Sequence, residues 1–181
     1  YLLDQFLCSN SNQRSDAYGG SLENRARLVL QVVDAAVATV GDSRKVGIRI
    51  SPMGTFGDVN DANPLETFSY LVSQLNSRNL AYLHVNRPDW LGGTFAGYDA
   101  LLRALRDLYT GTLIMAGGQT AESGEQAIAE GLADLIAYGR PYIANPDLLA
   151  RFKAGAALNP LDGNTLYGGG AAGYTDYPSM G

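Results

Sequence analysis

Apolar positions along this chain switch repeatedly between a helical and an extended period. From Ser21 to Val40, the residues Leu22, Ala26, Leu30, Val33 and Val37 recur at spacings of three and four, which predicts one face of a helix. Ser21 suits its N-cap and Gly41 its stop. The run "KVGIRISP" (45–52) predicts a short strand ended by Pro52. "PLETFSYLVSQLNSRN" (64–79) predicts a helix with Pro64 in its first turn and Leu65, Phe68, Leu71, Val72 and Leu75 as its stripe. The alternation continues with a strand at "LAYLHV" (80–85), a helix at "YDALLRALRDLY" (98–109) and a strand at "GTLIMAGG" (111–118). It ends with a helix at "TAESGEQAIAEG" (120–131), a strand at "ADLIAYGRP" (133–141) and a helix at "NPDLLARFKAG" (145–155).

Four strands alternating with five helices predict an α/β fold with a parallel sheet. The strands are short and almost wholly apolar, the pattern expected when both sheet faces are covered. A doubly wound sheet and a (β/α)8 TIM barrel both fit this local pattern. The Gly- and Tyr-rich tail "LYGGGAAGYTDYPSMG" reads either as a disordered end or as an extension ordered by its tyrosines, and Tyr142, Tyr167, Tyr174 and Tyr177 favour the extension.

Composition narrows the class. At 46% hydrophobic and 17% charged, the 181 residues are ordinary for one globular domain. No apolar run approaches the ~18–20 residues of a membrane span, and the start carries no basic n-region of a signal peptide. A net charge of −5 without a Lys/Arg cluster argues against a nucleic-acid surface. One cysteine, Cys8, allows no internal disulfide, and one histidine, His84, builds no His-rich metal centre. No metal is expected, and a reducing, cytoplasmic setting is the default.

Two strand ends could carry chemistry. "MAGG" (115–118) and "YGRP" (138–141) each finish a strand and precede a helix. Glycine there lets backbone N–H groups approach an anion, the helix N-terminus favours it, and Arg140 adds a charge-assisted contact. Such turns also serve simply as tight βα connections; two in succession, the second with Arg, favour phosphate. Arg49 interrupts an otherwise apolar strand and needs a carboxylate or an electron-rich ligand as partner. His84 on the next strand reads as a core or supporting residue. Arg14, Asp16, Glu23 and Arg25 read as a salt-bridged loop capping the following helix, and Trp90 as a pocket or barrel-mouth residue.

The stretches "YLLDQFL", "SNQRSDAYGGSLENRARL", "VGIRISP", "AYLHV", "YGRPYIANPDLLAR" and "YGGGAAGYTDYPS" together resemble the C-terminal half of the Old Yellow Enzyme family, nearest its bacterial ene and nitro-ester reductases. The likeness runs through essentially the whole chain in order. It implies the C-terminal half of a (β/α)8 TIM barrel with non-covalent FMN at the C-terminal ends of its strands. NAD(P)H, with NADPH favoured, reduces the flavin. A hydride then passes to the β-carbon of an electron-poor alkene (an enone, maleimide or nitroalkene), and a tyrosine protonates the α-carbon. Carried over by position, Arg49 matches the arginine at the flavin N1/O2 edge, and Gly117, Gly118, Gly139 and Arg140 match the phosphate cradle. Tyr167 matches the aromatic residue closing the flavin and substrate pocket. Trp90 falls in the loop over the substrate, and Tyr1 matches the proton donor, following a His-x-x-His/Asn-Gly stretch in the family.

The family's first half, with its remaining flavin contacts and that His pair, lies outside these residues. A (β/α)8 barrel takes at least ~200 residues, so this chain is expected to be a segment, 1–181, of a larger barrel, with 156–181 as an extension near the active site. A companion N-terminal half is the expected partner, with a homodimer left open. The competing expectation is a non-catalytic half-barrel, or a split or permuted fragment, that binds phosphate or assembles with a partner segment. A Schiff-base aldolase on the same barrel is disfavoured, because Lys45 precedes its strand and Lys153 sits on a helix.

Overall fold

Leu2–Leu7 form a six-residue helix, α1, too short for the apolar spacing to announce it. The computed structural model describes residues 1–88 and 96–181. After α1, Ser21 caps α2 (Leu22–Val40) by accepting a hydrogen bond from the Asn24 amide at 3.3 Å, and Gly41 closes it at φ 78°. Strand β1 (Gly47–Ile50), helix α3 (Pro64–Asn76), strand β2 (Tyr82–Asn86) and helix α4 (Tyr98–Leu108) follow where the apolar pattern places them. Strand β3 (Leu113–Ala116) leads to α5 (Ala121–Ala129), whose Thr120 and Ser123 cap each other reciprocally. The sheet is completed by β4 (Leu135–Ala137), in the order β1-β2-β3-β4.

Tyr1–Ile136 form one compact unit, built on this sheet. β1 pairs parallel with β2, and β2 with β3, in a register that sets Arg49 opposite His84 and His84 opposite Ile114. Ile48, Ile50, Leu83, Val85, Leu113 and Met115 form one buried cluster with Ala26, Val29 and Val33 of α2, Phe68, Leu71, Val72 and Leu75 of α3, and Leu101, Leu102 and Leu105 of α4. Each such fully buried Leu or Phe contributes about 1.5–3 kcal/mol. Helices cover one face of the sheet. Ile48, Ile50, Leu83, Val85, Leu113 and Met115 point to that side, while Arg49 is exposed and His84, Asn86 and Ile114 are half-buried on the other. Side chains alternate across a strand, so the single polar positions mark an open face.

The loop before α2 is structural, though wired differently from its expected pattern. Arg14 pairs with Asp16. Arg25 instead donates to the Leu7 carbonyl at 2.9 Å, the Gly20 carbonyl at 3.0 Å and the Thr67 hydroxyl at 3.1 Å, with Asp61 3.7 Å away. It thereby ties α1, the loop and α3 together.

Ala137–Gly181 form a second compact unit. The extended reading of 133–141 is too long, because Gly139 begins a helix, α6 (Arg140–Ala144), with Pro141 in its first turn. Pro tolerates that position since its missing N–H would be unpaired there. α7 (Leu148–Ala154) follows, and its buried Arg151 organises the tail. Arg151 bonds Asp147 at 2.8 Å and donates to the carbonyls of Ala157 at 2.6 Å and Pro178 at 2.9 Å. Asn159 donates to the carbonyls of Ala144 and Pro178, each at 2.8 Å. Of the tail's tyrosines, half-buried Tyr177 joins these polar clamps, its hydroxyl accepting from the Asp162 amide at 3.0 Å, while Tyr167 and Tyr174 are 94% and 81% exposed. Among the described residues no helix is long and apolar enough to cross a membrane.

Candidate functional site

Beyond β1, the chain turns through a loop that carries left-handed backbone at Met53, Gly57 and Asp58. Non-glycine residues adopt such angles only where their surroundings hold them. This loop, α1 and the open ends of β1 and β2 enclose a cavity of ≈ 220 Å³ lined by Tyr1, Asp4, Arg49, Ser51, Phe56 and Asn86 among others. Tyr1 and Arg49, two of the residues singled out in the sequence, therefore meet at one pocket.

Arg49 reaches the pocket from the open face of the sheet. Among the described residues it has no ion-pair partner within 4.0 Å. Of the two partners expected for Arg49, a paired carboxylate is absent among the described residues, and the exposed guanidinium is free to meet an electron-rich ligand. Its neighbours respond to it. Burial pushes Asp4 above the usual carboxylate range, against the opposing pull of a Ser51 backbone hydrogen bond and Arg49. Burial, and then the Arg49 charge, hold His84 below the ordinary imidazole value. Its Nε2 is buried without a hydrogen-bond partner among the described residues.

Tyr1 occupies the N-cap position of α1, without a side-chain cap bond, and is 61% exposed at the pocket rim. Its hydroxyl donates to the Gly57 carbonyl at 3.4 Å, and its ring meets Phe56 edge to face, with centroids 6.1 Å apart. The phenol is thus held by one face while the other remains open to a bound molecule or to water.

Gly117 and Gly118 follow β3 at φ 101° and 64°, conformations that strongly favour glycine, in the turn before α5. In the second unit, Gly139 is the N-cap of α6 and Arg140 its first residue, both exposed. Tyr167 follows a 3-10 turn at Gly163–Thr165. Trp90 lies outside the described residues. Sequence reasoning missed Asp4, Ser51, Phe56, Gly57 and Asn86. The one available signal was the glycine-punctuated "SPMGTFGDVN" directly after a predicted strand, the position where barrel loops carry function.

Known proteins resemble this chain over nearly its whole length. Residues 1–159 match the model of the NADH:flavin oxidoreductase / NADH oxidase family. The chain is 43% identical to 12-oxophytodienoate reductase 2 of Arabidopsis thaliana, over 99% of this chain and 48% of that protein. It is 44% identical, with the same coverage, to a probable flavin mononucleotide-dependent alkene reductase of Leishmania infantum. Among solved structures, morphinone reductase superposes with a TM-score of 0.92 at 45% identity, covering 99% of this chain and 48% of that one. A structure of morphinone reductase in complex with tetrahydroNAD gives 0.89 at 43% identity, covering 99% and 47%. The chain spans about half the length of the curated relatives it matches, and its four strands correspond to part of the morphinone reductase TIM barrel. With that match and the open, cation-bearing strand face, the chain belongs to the NADH:flavin oxidoreductase, or Old Yellow Enzyme, family.

Proposed function

We propose that the complete protein reduces activated C=C bonds, in enones, maleimides and nitroalkenes, with FMN as cofactor and NAD(P)H as reductant. The observation that carries this reading is the unpaired Arg49 sharing a pocket with the exposed hydroxyl of Tyr1. A fixed cation on the open face suits an electron-rich ring edge, and a phenol beside it suits proton delivery. FMN, when bound, supplies the hydride added to the β-carbon and is re-reduced by NAD(P)H. Arg49 would hold its N1/O2 edge. Gly117 and Gly118 would contact its phosphate.

The proton chemistry belongs to this chain. The Tyr1 O–H bond breaks as the α-carbon gains its proton, and the resulting phenolate regains one from solvent, to which the exposed ring is open. The names of the relatives support the reading, since one is a flavin mononucleotide-dependent alkene reductase and another a reductase of 12-oxophytodienoate.

The test is spectroscopic, on the full-length protein. It should purify yellow, bleach with NADPH under anaerobic conditions and recover its colour on adding 2-cyclohexenone. Tyr1→Phe should slow recovery by about 10²-fold while leaving bleaching unchanged. Arg49→Ala should weaken FMN retention by about tenfold, the loss of one hydrogen bond to a charged group. A protein that takes up no FMN, or a bleached flavin that no enone reoxidises, overturns the proposal.

A further inference from the structure

The loop after β1 does more than line the pocket. Gly57 sits at φ 65°, and a Cβ built there would lie 2.0 Å from the Tyr1 hydroxyl oxygen and 3.1 Å from the ring carbon bearing it. The phenol therefore occupies the space that any other residue at this position would fill. The same turn supplies the Gly57 carbonyl that accepts the Tyr1 hydroxyl, and Phe56 sets the tilt of the ring with an interplanar angle of 77°.

The turn is also stitched to the far end of α1. The Asn10 side-chain amide donates to the Asp58 carbonyl, and its oxygen accepts from the Asn60 amide at 2.7 Å. The Ser9 amide donates to Asp61 at 2.8 Å, and the Ser9 hydroxyl accepts from the Ala62 amide at 2.9 Å. The Asp61 carboxylate is only 2% exposed, so this anchor is buried. Helix α1 is thus bound at both ends to one loop: Tyr1 rests on Phe56 and Gly57, and Ser9–Asn10 grip 58–62.

We propose that the Phe56–Gly57 turn is the seat that aims the Tyr1 hydroxyl, with Gly57 a positioning residue for proton delivery. The inference rests on the reading of Tyr1 as the acid. Gly57 does not touch the substrate in this role; it acts through Tyr1, by leaving room for the phenol and by accepting its hydrogen bond.

A double-mutant cycle in the full-length, FMN-loaded protein tests it. Gly57→Ala should slow enone-driven flavin reoxidation by about 10²-fold, the effect of displacing a reacting group by about 1 Å, and leave flavin reduction by NADPH unchanged. Tyr1→Phe removes the atom that the new methyl would strike. In that background Gly57→Ala should therefore cost less than about twofold, well inside the coupling expected of contacting residues. Gly41→Ala introduces the same left-handed strain at φ 78° with nothing within 4 Å, and should leave reoxidation unchanged. Phe56→Leu, which keeps the backbone intact should Gly57→Ala not fold, should slow reoxidation by roughly 2–10-fold. An additive cycle, or an unaffected Phe56→Leu, overturns the proposal while the unmodified protein still turns over. If the unmodified protein shows no turnover, the function reading fails separately. The cycle is then read in thermal midpoints, where an equal loss with and without the hydroxyl overturns the seat and a smaller loss without it supports it.

Discussion

Arg49 and His84 face each other as Cα partners in the parallel β1–β2 ladder, and both project onto the open side of the sheet. The guanidinium adds to the burial that keeps the imidazole neutral, so His84 is held below its ordinary value of 6.5. In the unfolded chain it takes up a proton near that value; in the folded protein it resists. Stability tied to His84 is therefore present above pH 6.5 and is lost as pH falls below it. The His84 imidazole proton resonance can be identified by its loss in His84→Gln and then titrated by NMR. The midpoint should lie below 6.5, and Arg49→Gln should move it upward. A midpoint at or above 6.5 counts against the coupling.

Asp4 carries the opposite signature. Burial raises its folded value above 3.8, more than the Ser51 backbone hydrogen bond and Arg49 lower it. The folded protein thus holds a proton on Asp4 that the unfolded chain has released. Stability falls as pH rises from the ordinary carboxylate range through the raised value. Asp4→Asn keeps an acceptor for the Ser51 amide and removes the charge. It should raise the thermal midpoint at neutral pH, with the advantage vanishing below pH 4, as followed by circular dichroism across that range. A lower midpoint at pH 7 would show that the carboxylate is compensated.

What the sequence revealed and what it hid divide along a physical line. α2 and α5 were legible to within two residues because their signals are local: Ser21 and Thr120 bond their own first turns, and Gly41 closes α2. The strands were legible from apolar runs, but their one-sided burial was not. Runs such as "GIRI" have the same composition whether one face or both are covered, and only Arg49 and His84 hinted at the answer. Tyr1 and Arg49 were found through resemblance. The loop that joins them was not, since Met53 and Asp58 take left-handed angles that no local preference predicts. α1 and α6 escaped because six and five residues show too little periodicity.

Cys8 sits in the core at 4% exposure, where burial, reinforced by the charges of Asp4 and Asp61, pushes its thiol up to about 12. Against the ordinary value of 9.0, three pH units separate it from a free thiol, so the folded protein holds about a thousandfold less thiolate at neutral pH. A disulfide reagent such as DTNB should react with Cys8 only through opening of the fold. Labelling at pH 8 should be slow in buffer and immediate in denaturant. Rapid, stoichiometric labelling of the native protein would show that the α1 end of the core opens readily.

Arg151 gives the second unit its order, so its removal is the sharpest test of how that unit holds together. Its guanidinium is 8% exposed and serves three partners at once: Asp147 and the carbonyls of Ala157 and Pro178. Asp147 in turn accepts from the Met180 amide at 2.6 Å, so one ion pair fastens both the start and the end of the tail. Arg151→Met preserves much of the side chain's volume but leaves the Ala157 carbonyl without its donor, worth about 1–3 kcal/mol if it stays buried, and the Pro178 carbonyl with Asn159 alone. The tail relieves that cost by detaching and letting water reach both groups. Limited proteolysis should then cut within 156–181 well before the rest of the chain, while the core around Phe68 and Leu83 remains protected. Arg151→Lys should fall between the two, because an ammonium can meet Asp147 or a carbonyl but lacks the planar fork that spans all three. A tail as resistant in Arg151→Met as in the unmodified protein would mean that Asn145 and Asn159, which join α6 and the tail through bonds of 2.7 and 2.8 Å, suffice alone.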